Sequence, residues 1–302
     1  MRSALCAVLL SGCLIVHADE QEIEEPCPDA KPVLLAEGRG PFVLGDAIYF
    51  VGSHQTISRV DYGGAISELT GDVGATALVG DATDLYWAGN GVIVRKPFDA
   101  GPYVIAEGYS DVTRMVIDDT SVAWASSSGL DRWSKADQTI EHLDDASLIA
   151  GLGVWAGRYY YTDTHNDRIR RAPPVEDLAV GHFPGPLVVD ERGVYYFEAG
   201  NSDELYGGAL HLVPREGGIP VTTADHLART WDLTEDYDHL VFATSIGAAY
   251  RIKQVSRFGG TVHTLACGEY GGMLYVGIAG DYVYWADYYG LYQLDRRSVG
   301  GL

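Results

Sequence analysis

The chain has 302 residues, with 42 Asp plus Glu against 21 Lys plus Arg, a formal net charge of −21. So acidic a balance argues against a binder of nucleic-acid backbone, which needs clustered cations to displace counterions, and against adsorption on anionic lipid headgroups. At 47% hydrophobic the chain can bury a large core, and 37 Gly and 20 Tyr beside 3 Met point to many short strands joined by tight turns.

From the N-terminus, Arg2 and the apolar run Ala4 to Val16 read as the charged and hydrophobic regions of an export signal. The run is too short, and too abruptly followed by acid, to stay in a bilayer as a helix. Val16-His17-Ala18 places small residues where a signal peptidase would cut, before Asp19-Glu20-Gln21-Glu22. Leu10-Ser11-Gly12-Cys13 also resembles a bacterial lipobox, in which residues 1–12 would leave and Cys13 would carry lipid. Both readings, a signal of residues 1–18 and a lipoprotein signal of 1–12, imply export. Residues 19–31, acidic and holding Pro26 and Pro28, read as a solvated linker, and residues 32–302 as the folded domain. Cys6 leaves with either signal and Cys13 is lipidated or removed. Cys27 and Cys267 then form an even pair in an exported chain, which predicts a disulfide. No Cys-x-x-Cys occurs, so thiolate zinc sites are not expected.

The remainder repeats. Aromatic strands read Ile48-Tyr49-Phe50, Leu85-Tyr86-Trp87, Val122-Ala123-Trp124, Tyr159-Tyr160-Tyr161, Val194-Tyr195-Tyr196, Leu240-Val241-Phe242 and Val283-Tyr284-Trp285. Their centres are spaced by 37, 37, 37, 35, 46 and 43 residues. Each is followed by a strand that often holds Arg (Ile57 to Val60, Ile93 to Lys96, Leu130 to Trp133, Arg168 to Arg171) and then a glycine turn such as Gly63-Gly64, Gly217-Gly218 or Gly259-Gly260. Outer strands follow over Ile66 to Leu69, Tyr103 to Ala106, Ile140 to Leu143 and Val262 to Ala266. A four-stranded unit about every forty residues predicts an all-β fold, a single seven-bladed β-propeller. The seventh unit lacks an outer strand at Gly300-Gly301-Leu302, and Lys31 to Ala36 has the missing pattern. The N-terminal strand is therefore expected to complete the last blade and close the ring.

With Tyr160-Tyr161-Thr162-Asp163, Tyr86-Trp87-Ala88 and Tyr284-Trp285-Ala286-Asp287, the repeats resemble the YWTD-type propellers, and most closely bacterial envelope members of that kind. The resemblance spans about residues 32–302. It implies protein recognition, as in the six-bladed animal receptor members, and a structural role for Asp163 and Asp287; seven units depart from the receptor count.

Function in a propeller belongs to the loops of one face. Glu198 to Gly208, between the second and third strands of blade five, and the passage Thr223 to Trp231 into blade six read as adjacent insertions. Their Tyr206, Asp225, His226, Arg229 and Trp231 suit a recognition surface, because aromatic and Arg side chains anchor interfaces. Asp163, His165 and Asp167 have the donor types for a divalent cation but lack the Gly and terminal Glu of an EF-hand loop, and read first as a polar turn. No nucleophile elbow, zinc-helix, Walker or dinucleotide motif occurs, and His142, His211 and His263 fall on peripheral strands. The sequence therefore points to an exported, non-enzymatic module that binds a protein or peptide, with no cofactor, no nucleic acid, and membrane contact only through a lipid on Cys13. The alternative is a propeller enzyme, a metal-assisted lyase or hydrolase at the channel mouth, which requires Asp163, His165, Asp225 or His226 to converge there.

Overall fold

A computed structural model describes residues 26–52, 54–61, 64–71, 73–199, 207–269 and 274–299. The signal readings of residues 1–18, Cys13 and most of the acidic linker lie outside the described residues, as do Tyr206 and Gly63. Seven sheets of four antiparallel strands form a ring of seven blades, as the repeat predicts. In blades one to six the chain runs outward from the central channel strand by strand, and blade seven does so for its first three strands. The innermost strands of blades one to seven are Gly38–Leu44, Ala75–Gly80, Arg114–Ile117, Ile149–Trp155, Pro184–Val189, Arg229–Glu235 and Tyr275–Ala279.

The aromatic strands are second in each blade, and their two-residue side-chain period explains the packing. Tyr159 and Tyr161 pack with Ala123, Ala125 and Leu130 of blade three, while Tyr160 between them packs with Leu187, Val194 and Tyr196 of blade five. Each seam between neighbouring blades thus has its own apolar core, filled from both faces of these strands. Trp124, Tyr161, Tyr195 and Trp285 are fully buried. Side chains tie the seams as well: Thr76 Oγ1 donates to the Val112 carbonyl at 2.9 Å, and Thr162 Oγ1 to that of Gly185 at 2.8 Å.

The first-to-second strand turns repeat a device that the aromatic pattern alone does not reveal. Asp81, Asp118, Asp190 and Asp236 each accept the backbone N–H groups two and three residues on, at 2.7–3.0 Å, closing an Asx turn. The glycine turns take the expected positive φ, at Gly64 (85°), Gly217 (85°) and Gly259 (85°).

Ring closure is as expected. Val33–Ala36 pairs antiparallel with Leu291–Asp295, Val33 opposite Gln293 and Ala36 opposite Leu291, and forms the outer strand of blade seven. Just upstream, Cys27 forms a disulfide with Cys267, on the outer strand His263–Glu269 of blade six, with a Cα–Cα distance of 5.8 Å. The N-terminal segment is therefore bonded to one blade and hydrogen-bonded to the next.

Candidate functional site at the channel mouth

All seven innermost strands enter the channel from the same face, the one that carries the blade-to-blade connections and the second-to-third strand turns. On that face the sector of blades five and six differs from its expected form. Thr223 to Trp231 is not an inserted loop: the outer strand of blade five runs Val221–Leu227 and the innermost strand of blade six begins at Arg229, with only Ala228 between. Leu227 and Ala228 are buried, which draws the passage into the core of this seam and makes it strand. The polar residues around them stay outside. Asp225 and His226 are exposed and pair at 3.1 Å, with His226 at φ 53°. Arg229 is exposed and its guanidinium lies 4.2 Å from the Trp231 ring centre, while Trp231 Nε1 donates to Ser245 Oγ at 2.6 Å. The indole is thereby fixed in one orientation beneath a cation.

Inward of Trp231 lies a cavity of about 220 Å³, lined from all seven blades. Residues near the entering ends of the strands make its polar collar: Thr76, Thr113, Arg114, Asp232 and Tyr275. Residues further along the same strands, among them Leu78, Met115, Leu152, Leu187 and Leu233, make an apolar floor. Arg114 Nε donates to the Ala150 carbonyl at 3.0 Å, Nη1 to that of Thr113 at 3.4 Å, and Nη2 to that of Trp231 at 3.3 Å. The guanidinium so reaches across the channel from blade three to blade six. Asp232 accepts the Val276 N–H at 3.0 Å, and burial pushes its carboxyl above the usual carboxylate range despite the attraction of Arg114. Burial also raises the Tyr275 phenol. The Tyr275 ring lies against Gly40, where a Cβ would come within 1.8 Å of Cδ2, so glycine is required at that position of blade one.

Neither the channel arginine nor its carboxylate stands out in sequence. The readable signal is a departure at one register position: Arg114 and Asp232 stand where other innermost strands have Ala77, Gly151 and Pro186.

The blade-four candidates do not converge. Asp163 is fully buried, 2.9 Å from Arg170 Nη1, and accepts the Asn166 backbone N–H at 3.1 Å and side-chain Nδ2 at 2.8 Å. Asp167 accepts the Phe183 N–H at 2.9 Å and lies 3.9 Å from His182, while His165 is exposed. Asp287 accepts the N–H groups of Tyr289 and Gly290 at 2.7 and 2.9 Å. Both carboxylates after the aromatic pairs hold turns, the structural role expected of them. Among the described residues no three His, Cys, Asp or Glu side chains are grouped as a metal site needs. Asp163, His165, Asp225 and His226 do not line the channel cavity.

Fold and site define a seven-bladed β-propeller with a charged, apolar-floored channel mouth. No protein-family model matches the chain, and no curated protein sequence does. Its fold is similar to the extracellular domain of the hybrid two-component system BT4673 from B. thetaiotaomicron, at TM-score 0.69 and 14% identity over 88% of this chain and 40% of that one. A second structure of that extracellular domain, described as a one-component system, gives 0.67 and 13% over 88% and 39%. A chain of a nidogen/laminin complex gives 0.50 and 13% over 71% and 88%. The chain thus spans about two fifths of the length of the first two structures.

Proposed function

We propose that this protein is an exported binding module that recognises a protein or peptide through the face bearing the channel mouth, in the sector of blades five and six. The observation that carries the reading is the Arg229–Trp231 pair: an aromatic anchor locked by Ser245 and capped by an exposed cation, beside the exposed Asp225–His226 pair. Anchors of these types, held before contact, lose little entropy on binding. An extracellular domain and a nidogen/laminin complex among the structural neighbours, together with the Cys27–Cys267 disulfide, support export and protein partners. The YWTD-type character of the repeats, a role for Tyr206, and the choice between a lipoprotein anchored through Cys13 and a freely secreted chain are parts of the same proposal.

Immobilised wild-type protein and an Arg229→Ala/Trp231→Ala variant should be incubated with envelope and secreted fractions, and retained proteins quantified. The expected outcome is a partner held by the wild type and weakened in the variant by more than about 2 kcal/mol, roughly thirtyfold. Equal retention by both proteins contradicts the assignment of this sector.

A further inference from the structure

The channel mouth contains two opposite charges that do not neutralise each other by contact. Neither Arg114 nor Asp232 has an ion-pair partner within 4 Å among the described residues. Each is anchored instead to backbone, Arg114 by three carbonyls and Asp232 by the Val276 N–H. Carbonyl oxygens orient a guanidinium without cancelling its charge, and burying separated charges is costly unless something charged completes them. Of the five guanidinium N–H groups, three are used by these carbonyls. That leaves one on each terminal nitrogen, donors of the kind that a carboxylate accepts.

A ligand bearing only a carboxylate would meet Asp232 and the −21 charge of the whole chain. A ligand bearing only an ammonium would meet Arg114. A zwitterion has no net charge to be repelled and presents both complements at once. Below the two charges the floor is aliphatic, from Leu78, Met115, Leu152, Leu187 and Leu233, and at about 220 Å³ the cavity is smaller than a drug-sized pocket.

We propose that the channel mouth binds a free α-amino acid with an aliphatic side chain, its carboxylate on the terminal nitrogens of Arg114, its ammonium at Asp232 and its side chain on the leucine floor. The site lies inward of Trp231 and does not depend on the recognition surface proposed above.

The test uses the full chain and three probes, leucine, 3-methylbutanoate and 3-methylbutylamine, titrated calorimetrically at neutral pH. Leucine is expected to bind at least about tenfold tighter than either half-ligand, since each lacks one charge-assisted contact. Equal binding of 3-methylbutanoate or of the amine, or no saturable binding of leucine, overturns the proposal. Asp232→Asn is expected to weaken leucine by about tenfold and leave 3-methylbutanoate unchanged or tighter; unaltered leucine affinity counts against the site. Because Arg114 straps three blades together, its role is read on wild-type protein. Phenylglyoxal labelling of Arg114, followed by peptide mass spectrometry, should slow at least threefold with saturating leucine. Unchanged labelling contradicts the assigned carboxylate contact.

Discussion

Glu235 shows how a single buried residue contributes to the pH response of this protein. It ends the innermost strand of blade six, on the face opposite the channel mouth, next to the buried Arg257. Arg257 bonds Asp190, also buried, and lies 2.9 Å from Glu191 Oε1, so its charge is already shared. Glu235 Oε2 is buried without a hydrogen bond, 3.7 Å from Arg257 Nε. Burial, with Glu191 and Asp236 adding negative charge, pushes the Glu235 carboxyl up to about 7 from an ordinary 4.5. The folded chain therefore holds this proton to higher pH than the unfolded chain does. The contribution of Glu235 to stability falls as pH rises from about 4.5 through 7, and its penalty is complete above that window. Glu235→Gln removes the charge and keeps the shape. The variant should match the wild type near pH 4.5 and be more stable at pH 8 by about 1–3 kcal/mol. Thermal unfolding at the two pH values checks this, and a variant less stable at pH 8 would show that the pull of Arg257 dominates.

At the scale of elements, the closing strand decides whether the ring exists. Val33–Ala36 is short and makes its pairing with Leu291–Asp295 against a bulge between Leu34 and Ala36. The disulfide supplements it from 240 residues away in sequence, a loop whose closure is worth on the order of 5 kcal/mol in the chain-entropy account. Deleting residues 28–37 should abolish single-step cooperative unfolding, because blade seven then has a bare edge and the seam to blade one opens. Reducing the disulfide in the intact chain should lower the urea midpoint and keep one transition. An unchanged melting curve after deletion would refute closure by this strand.

At the scale of the molecule, the ring is seven sheets held by seven seam cores, and the full sequence carries a net charge of −21. Ion pairs such as Arg95–Asp84 at 2.9 Å and Lys135–Asp81 at 2.8 Å engage part of the 42 carboxylates, and 21 Lys plus Arg cannot balance them all. The surplus repels itself most strongly in the compact state. Raising sodium chloride from low ionic strength to about 0.5 M, where the screening length falls below about 5 Å, should therefore raise the melting temperature. A fall would mean that attraction within ion pairs outweighs the net repulsion.

The sequence by itself determined the architecture, because each blade repeats the same local instructions and repetition outweighs the degeneracy of any one copy. The strand Ile57–Val60 lies where its Arg-containing pattern put it, and Lys31 to Ala36 could be matched to a missing outer strand before any pairing was known. The disulfide was legible as arithmetic on the two cysteines left once an export signal is expected. What composition and spacing left open was the destination of Thr223 to Trp231. Its polar residues read as loop, and the burial of Leu227 and Ala228 between blades makes it strand. The channel mouth was not legible at all. Arg114, Asp232 and Tyr275 are far apart in the chain and belong to three blades. Only the closing of the ring brings one residue from each strand to a common axis, so their charges meet by tertiary geometry alone.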